Sequence, residues 1–102
     1  MTETRLIERA VIRLSSDDPE EDVREFLQGL VTQDIAAVQP GKPQWSALLS
    51  AQGKLLFDFI LWAEAEDILI DCEATVRDSL IKRLKIYRLR RKIAIEAEDN
   101  IS

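Results

Sequence analysis

The chain has no histidine, and its only cysteine is Cys72. Those two absences remove most familiar active sites. A zinc centre needs several histidine or cysteine ligands, and a Ser-His or Cys-His nucleophile needs an imidazole base, so both are argued against. One cysteine cannot form an internal disulfide, which points to a reducing compartment and to the cytoplasm. No apolar run is long enough to cross a bilayer, because Asp58 and then Glu64 interrupt the longest one. The first residues, MTETRLIER, mix acids and bases without an apolar stretch, so no secretory signal is expected. Positive charge is also in deficit: 14 Lys and Arg stand against 19 Asp and Glu, a net charge of -5. That balance argues against general affinity for nucleic acid or membrane surfaces. What remains is ordinary for a globular protein, with 46% hydrophobic and 32% charged residues in 102. This is enough for one domain with a modest core.

The stretch that organises the chain is SAQGKLLFDFILW, residues 50–62. Two extended runs meet at the turn Ala51-Gln52-Gly53-Lys54. In the second run Leu55, Phe57, Phe59 and Leu61 point one way, and Leu56, Ile60 and Trp62 the other. A strand apolar on both faces belongs in the middle of a covered sheet. Asp58 breaks the pattern and is expected to be buried, accepting at least one hydrogen bond.

Around this hairpin the chain alternates strands and helices. Residues 5–14 read as a strand, with Leu6, Ala10, Ile12 and Leu14 on one face and Ile7, Arg9, Val11 and Arg13 on the other. Asp18, Pro19 and Glu21 match a helix start. Val23, Phe26, Leu27, Leu30 and Val31 then form an apolar stripe. Gly29 either admits a close neighbour or ends the helix. Thr32-Gln33-Asp34 can cap a short turn through Ile35 and Val38, and residues 39–43 form a Pro/Gly loop. Residues 44–50 and 54–63 pair as a hairpin. Residues 67–72 form a third antiparallel strand, with Ile68, Ile70 and Cys72 on one face. Thr75 and Asp78 match a capping box for a helix whose buried face is Val76, Leu80, Leu84 and Tyr87, widened by Ile81. Residues 92–97 alternate again, with Ile93, Ile95 and Ala97 inward. The order β-α-β-β-β-α-β indicates an α+β domain, a mainly antiparallel sheet with helices on one face. Two helices can cover only one of the sheet's two apolar faces.

Four features can carry chemistry. Asp58 suits a ligand-accepting carboxylate, although a structural aspartate tied to arginines or backbone N–H groups is the commoner case. The run Arg77, Lys82, Arg83, Lys85, Arg88, Arg90, Arg91 and Lys92 suits a phosphate, polyglutamate or RNA surface, or equally a solvated helix face. Cys72, on an apolar strand face, reads as a buried, inert thiol. Trp45 and Trp62 could stack on a planar ligand, but core packing is the usual role of such residues.

REFLQGLVTQDI, WSALLSAQGKLLFDFIL and LIKRLKIYRLRRKI together resemble the N-terminal region of the YgfZ-type folate-binding proteins. These are iron–sulfur cluster maturation factors related to the T-protein, the aminomethyltransferase of glycine cleavage. The resemblance spans nearly the whole chain and about the first third to half of a typical family member. It implies a fragment of a longer protein that binds tetrahydrofolate and assists iron–sulfur client proteins. It also implies a folate site with Asp58 as polar anchor and Trp45 and Tyr87 as walls; from the basic cluster, Arg83 or Arg90 is expected to meet an anion, the folate glutamate tail or an RNA phosphate. In the T-protein relatives a Gly-Gly turn leads into a strand with paired aspartates. Here the turn is Gly53-Lys54 and the pair is Phe57-Asp58, so one carboxylate is missing. The family's signature cysteine falls beyond Ser102, and Cys72 does not match it. The rivals are a tetrahydrofolate-dependent aminomethyltransferase and a small RNA-binding module. The exposed sheet face is expected to meet the remainder of its own chain or a second copy as a homodimer.

Overall fold

In the computed structural model, which describes residues 8–32 and 35–98, period-two alternation produces five strands. They are β1 (Arg9–Ser15), β2 (Gln44–Leu49), β3 (Leu55–Glu64), β4 (Asp67–Glu73) and β5 (Ala94–Glu98). They form one sheet in the order β2-β3-β4-β1-β5, with every pair antiparallel. The fold is therefore α+β, with the expected element order. The meander β2-β3-β4 is local. β1 then inserts between β4 and β5, so the two ends of the chain meet in the sheet. The expected strand residues Leu6 and Ile7 and the tail 99–102 lie outside the described residues.

Register decides which side chains share a face. Ile12 sits opposite Ile70 and Leu14 opposite Ile68 and Ile95. Leu61 faces Ile70, and Phe57 faces Leu48. These residues, with Phe59 and Cys72, form the inner face. Onto it pack Val23, Phe26 and Leu27 of α1 (Val23–Gln28), and Leu80 and Leu84 of α2 (Arg77–Arg88). Val76, Ile81 and Tyr87 widen the second contact as expected. Burying each large apolar side chain contributes about 1.5–3 kcal/mol, so this one layer holds the domain together.

Three local expectations are corrected. The first helix begins at Val23, not after Asp18. The Asp18 side chain accepts from the Glu20 amide at 2.9 Å and its carbonyl from the Glu21 amide at 3.0 Å, which closes a separate turn. Asp22 then caps the helix by accepting from the Arg24 amide. Gly29 ends it, and nothing approaches closely enough to require a glycine there. Thr75 does not cap α2. It sits in a 3-10 turn, Ala74–Val76, tied down by the Ala74 amide donating to Glu8, and Val76 occupies the cap position. Ala97, expected inward, is exposed on the edge strand β5. The short turn after α1 does form, at Ile35–Ala37, but Gln33 and Asp34 lie outside the described residues. Gly53 adopts φ +84 in the β2–β3 turn, a conformation that disfavours side chains.

β3 is not central. It lies second from the β2 edge, and β4 is the middle strand. Both helices pack on one side, so the described residues leave the second apolar face of β3 open.

Candidate functional site on the open face of the sheet

The open face carries every second residue of the strands. Trp45 lies opposite Ile60, which makes it a diagonal neighbour of Asp58 and Trp62. Trp62 lies opposite Leu69, and Leu69 opposite Arg13. Neither tryptophan is in the core: Trp45 is 61% exposed and Trp62 39%. Leu69 is buried yet stands outside the inner cluster, beneath its neighbours on this outer face. The β2–β3 half of the face is thus an apolar surface rich in indole.

Asp58 stands at the edge of that surface, opposite Ala47. It is exposed, which corrects the expectation of burial. Strand alternation explains the error. Phe57 and Phe59 turn inward to the helices, and the residue between them turns to the side that no helix covers. Among the described residues its carboxylate has no hydrogen-bond or ion-pair partner. The structural explanation of Asp58, a tie to arginines, is therefore absent. Phe57, the neighbour in the expected pair, packs against the core.

The β1–β5 half of the same face is polar. Arg13 sits at its centre and bridges three strands. Its guanidinium donates to Asp67 at 2.7 Å and to Glu98 at 2.9 Å, and pairs with Glu64 at 2.6 Å. Its hydrogen bonds to Glu98, then to Asp67 and Glu64, raise its pKa further above an already high value. Arg9 pairs with Asp71 at 2.9 Å. Sequence reasoning missed this cage. A basic residue facing acids on neighbouring strands is legible only once the register is known.

The other candidate residues do not join Asp58 and Trp45. Tyr87 is half-buried against the inner core, and Arg83 and Arg90 are exposed on and just after α2, across the sheet from the open face. Half of the basic run is committed elsewhere. Arg91 pairs with Glu21 and Glu25 at 3.0 Å and lies 5.5 Å from the centre of the Phe26 ring. Arg77 pairs with Asp78, Lys92 reaches Asp18 at 3.6 Å, and Arg88 donates to the Ile93 carbonyl. Cys72 is buried on the inner face, and burial pushes its thiol pKa up, as its strand position implied. Among the described residues no cluster of acids and cysteine could hold a metal ion.

No family model matches the chain. Over 105 residues, 90% of its length, it is 31% identical to the mitochondrial iron–sulfur cluster assembly factor IBA57 of Homo sapiens. The chain is homologous to the IBA57 factors. It spans only about a quarter of the curated IBA57 relatives it matches. An aminomethyltransferase of Nostoc sp. is 44% identical over 41 residues, 40% of this chain and 11% of that protein. The crystal structure of glycine cleavage system aminomethyltransferase T from Bartonella henselae superposes with a TM-score of 0.76. The identity is 21%, and the match covers 88% of this chain and 24% of that one. The fold is therefore aminomethyltransferase-like, and the YgfZ-type resemblance read from the sequence holds. The cytoplasmic location does not. The five IBA57 relatives are mitochondrial, which points to the mitochondrion instead. A lone free cysteine suits any reducing compartment, so composition could not separate the two.

Proposed function

We propose that this chain is the sheet-bearing module of an iron–sulfur cluster assembly factor, and that its open face supplies one wall of a tetrahydrofolate site. The observation that carries the first part is the 31% identity to human IBA57 across 90% of the chain. About three quarters of that relative lies outside the match, so the module is read as one part of a longer protein. The second part rests on the open face. A reduced pterin offers ring N–H donors and a flat apolar surface. Asp58 is an acceptor without a partner among the described residues, and Trp45 is an exposed indole diagonal to it. The donor set fits. Tetrahydrofolate supplies one-carbon chemistry on its ring nitrogens when bound; this chain's residues would hold and orient it. Tyr87, Arg83 and Arg90, on the other layer, have no part in that wall.

Ligands of this size are usually enclosed in concave sites. An open sheet supplies one side only, so tight binding requires a second surface from the rest of the protein or another copy. Phe57, where the T-protein relatives are expected to carry a second aspartate, packs inward against the core, so Asp58 stands without that paired carboxylate, which disfavours aminomethyl transfer. The test is complementation in cells lacking the gene, read by the activity of a [4Fe–4S] dehydratase. The wild-type gene restores it, and an Asp58→Ala, Trp45→Ala double variant with normal protein level does not. Full rescue by the variant separates the cluster role from the folate site, and no rescue by wild type removes the cluster role itself.

A further inference from the structure

The solvent side of α2 carries a second surface that the folate reading does not use. Leu80 and Leu84 face the core, and Lys82, Arg83, Lys85 and Ile86 face outward. Ile86 follows Lys82 by four residues and Arg83 by three, so the three side chains are neighbours on the helix surface. Ile86 is 56% exposed and Leu89, at the helix end, 80%. Beside Leu89 a groove of about 500 Å³ is lined by Glu21, Leu89, Arg90 and Arg91. Among the described residues, Lys82, Arg83, Lys85 and Arg90 have no ion-pair partner. The nearby acids Asp78, Glu21 and Glu25 are engaged by Arg77 and Arg91.

Leu89 is held at φ 53, ψ -115. Such a conformation typically suits glycine and costs other residues about 1–3 kcal/mol. A leucine there is thus unfavourable twice over, in its backbone and in its hydration, and no core contact compensates. Strain and exposure coincide at one residue, beside the free cations of a chain whose net charge is -5.

We propose that this face docks an acidic, amphipathic segment of a partner protein. Its apolar side chains cover Ile86 and Leu89, and its carboxylates meet Lys82, Arg83, Lys85 and Arg90. Nucleic acid fits less well, because this face offers no exposed aromatic for stacking and the chain as a whole repels phosphates. A membrane fits less well, because two apolar side chains give little insertion and the overall charge opposes anionic lipid.

The probe is a fluorescein-labelled synthetic peptide with leucines at i, i+3, i+4 and i+7 and glutamates between them, titrated by anisotropy into the full chain. The expected result is saturable binding that weakens as salt rises. Leu89→Gly should weaken it about tenfold through loss of one apolar anchor. The same change should leave the melting temperature unchanged or raised, because the strain is relieved. Lys82→Glu with Arg83→Glu should remove most of the salt dependence. The proposal is overturned if the peptide does not bind or if Leu89→Gly binds as wild type. It is also overturned if Leu89→Gly loses binding only together with thermal stability. Stronger association with phosphatidylserine vesicles or an RNA oligonucleotide than with the peptide likewise overturns it.

Discussion

Replacing Asp58 or Phe59 by alanine changes adjacent residues of one strand that face opposite ways. Asp58 is exposed, without a partner among the described residues, and on the uncovered face. Its removal forfeits no hydrogen bond and no buried area, and aspartate is a poor strand residue, so Asp58→Ala should change stability by no more than about 0.5 kcal/mol. Phe59 is 2% exposed and lies in the centre of the inner layer. Its truncation should cost about 3–5 kcal/mol through lost transfer energy and the cavity left behind. For a domain of this size, each kcal/mol moves the melting temperature by roughly 4–8 °C, so Phe59→Ala should melt at least about 12 °C lower. Urea titration followed by far-UV circular dichroism measures both, and the slope should stay constant. The reasoning is refuted if Asp58→Ala costs more than about 2 kcal/mol, as a partnered buried carboxylate would. It also fails if Phe59→Ala costs less than about 1 kcal/mol, because then the inner face is not the core.

Further outcomes follow from the same geometry. Arg13→Met keeps the aliphatic stem but leaves Glu64, Asp67 and Glu98 facing one another. It should cost about 2 kcal/mol at low salt and less at high salt, where the repulsion is screened, and a loss independent of salt would contradict the cage. Burial raises the Cys72 pKa above its ordinary value of 9.0. The folded state holds this proton more tightly than the unfolded state, so the thiol's contribution is fully present below that pH and is lost as pH rises through the folded value. Denaturation curves from pH 7 to 10 should show the decline, and Cys72→Ser should flatten it. Gly53→Ala should cost about 1–2 kcal/mol through its positive φ alone, with Gly53→Asn milder, since nothing lies within 4 Å of the added carbon.

The element order, the inner-face residues and the buried thiol were legible because they depend on short-range periodicity. Ile12, Leu14, Phe59, Leu61, Ile68, Ile70 and Cys72 all lie where alternation put them. Alternation gives two faces, however, and cannot say which one the helices cover. For β3 that choice separates a buried carboxylate from a free one, and core tryptophans from surface ones. It was settled by where α1 and α2 pack, both on the side of Phe57, Phe59 and Leu61. The helix starts failed for a local reason. Asp18 and Thr75 each have cap chemistry, but a turn claims each of them before the helix begins. Basic residues grouped along the sequence also proved to be divided in space, with Arg91 tied to α1 while Arg83 and Arg90 face solvent. A lone cysteine is compatible with the cytoplasm and the mitochondrion alike, so composition could not choose between them.

Trp45 and Trp62, the two tryptophans of this chain, both lie on the open face, so intrinsic fluorescence reports its occupancy directly. The decisive measurement is a tetrahydrofolate titration of the Trp62→Phe variant, in which Trp45 is the chain's remaining indole, repeated with Asp58→Ala added. The account predicts saturable quenching of Trp45 that Asp58→Ala abolishes, with half-saturation of the 102-residue chain by itself no tighter than roughly the upper micromolar range. Quenching that is absent, or unchanged by Asp58→Ala but lost with Arg83→Glu and Arg90→Glu, would contradict it and place the ligand on the helix layer instead.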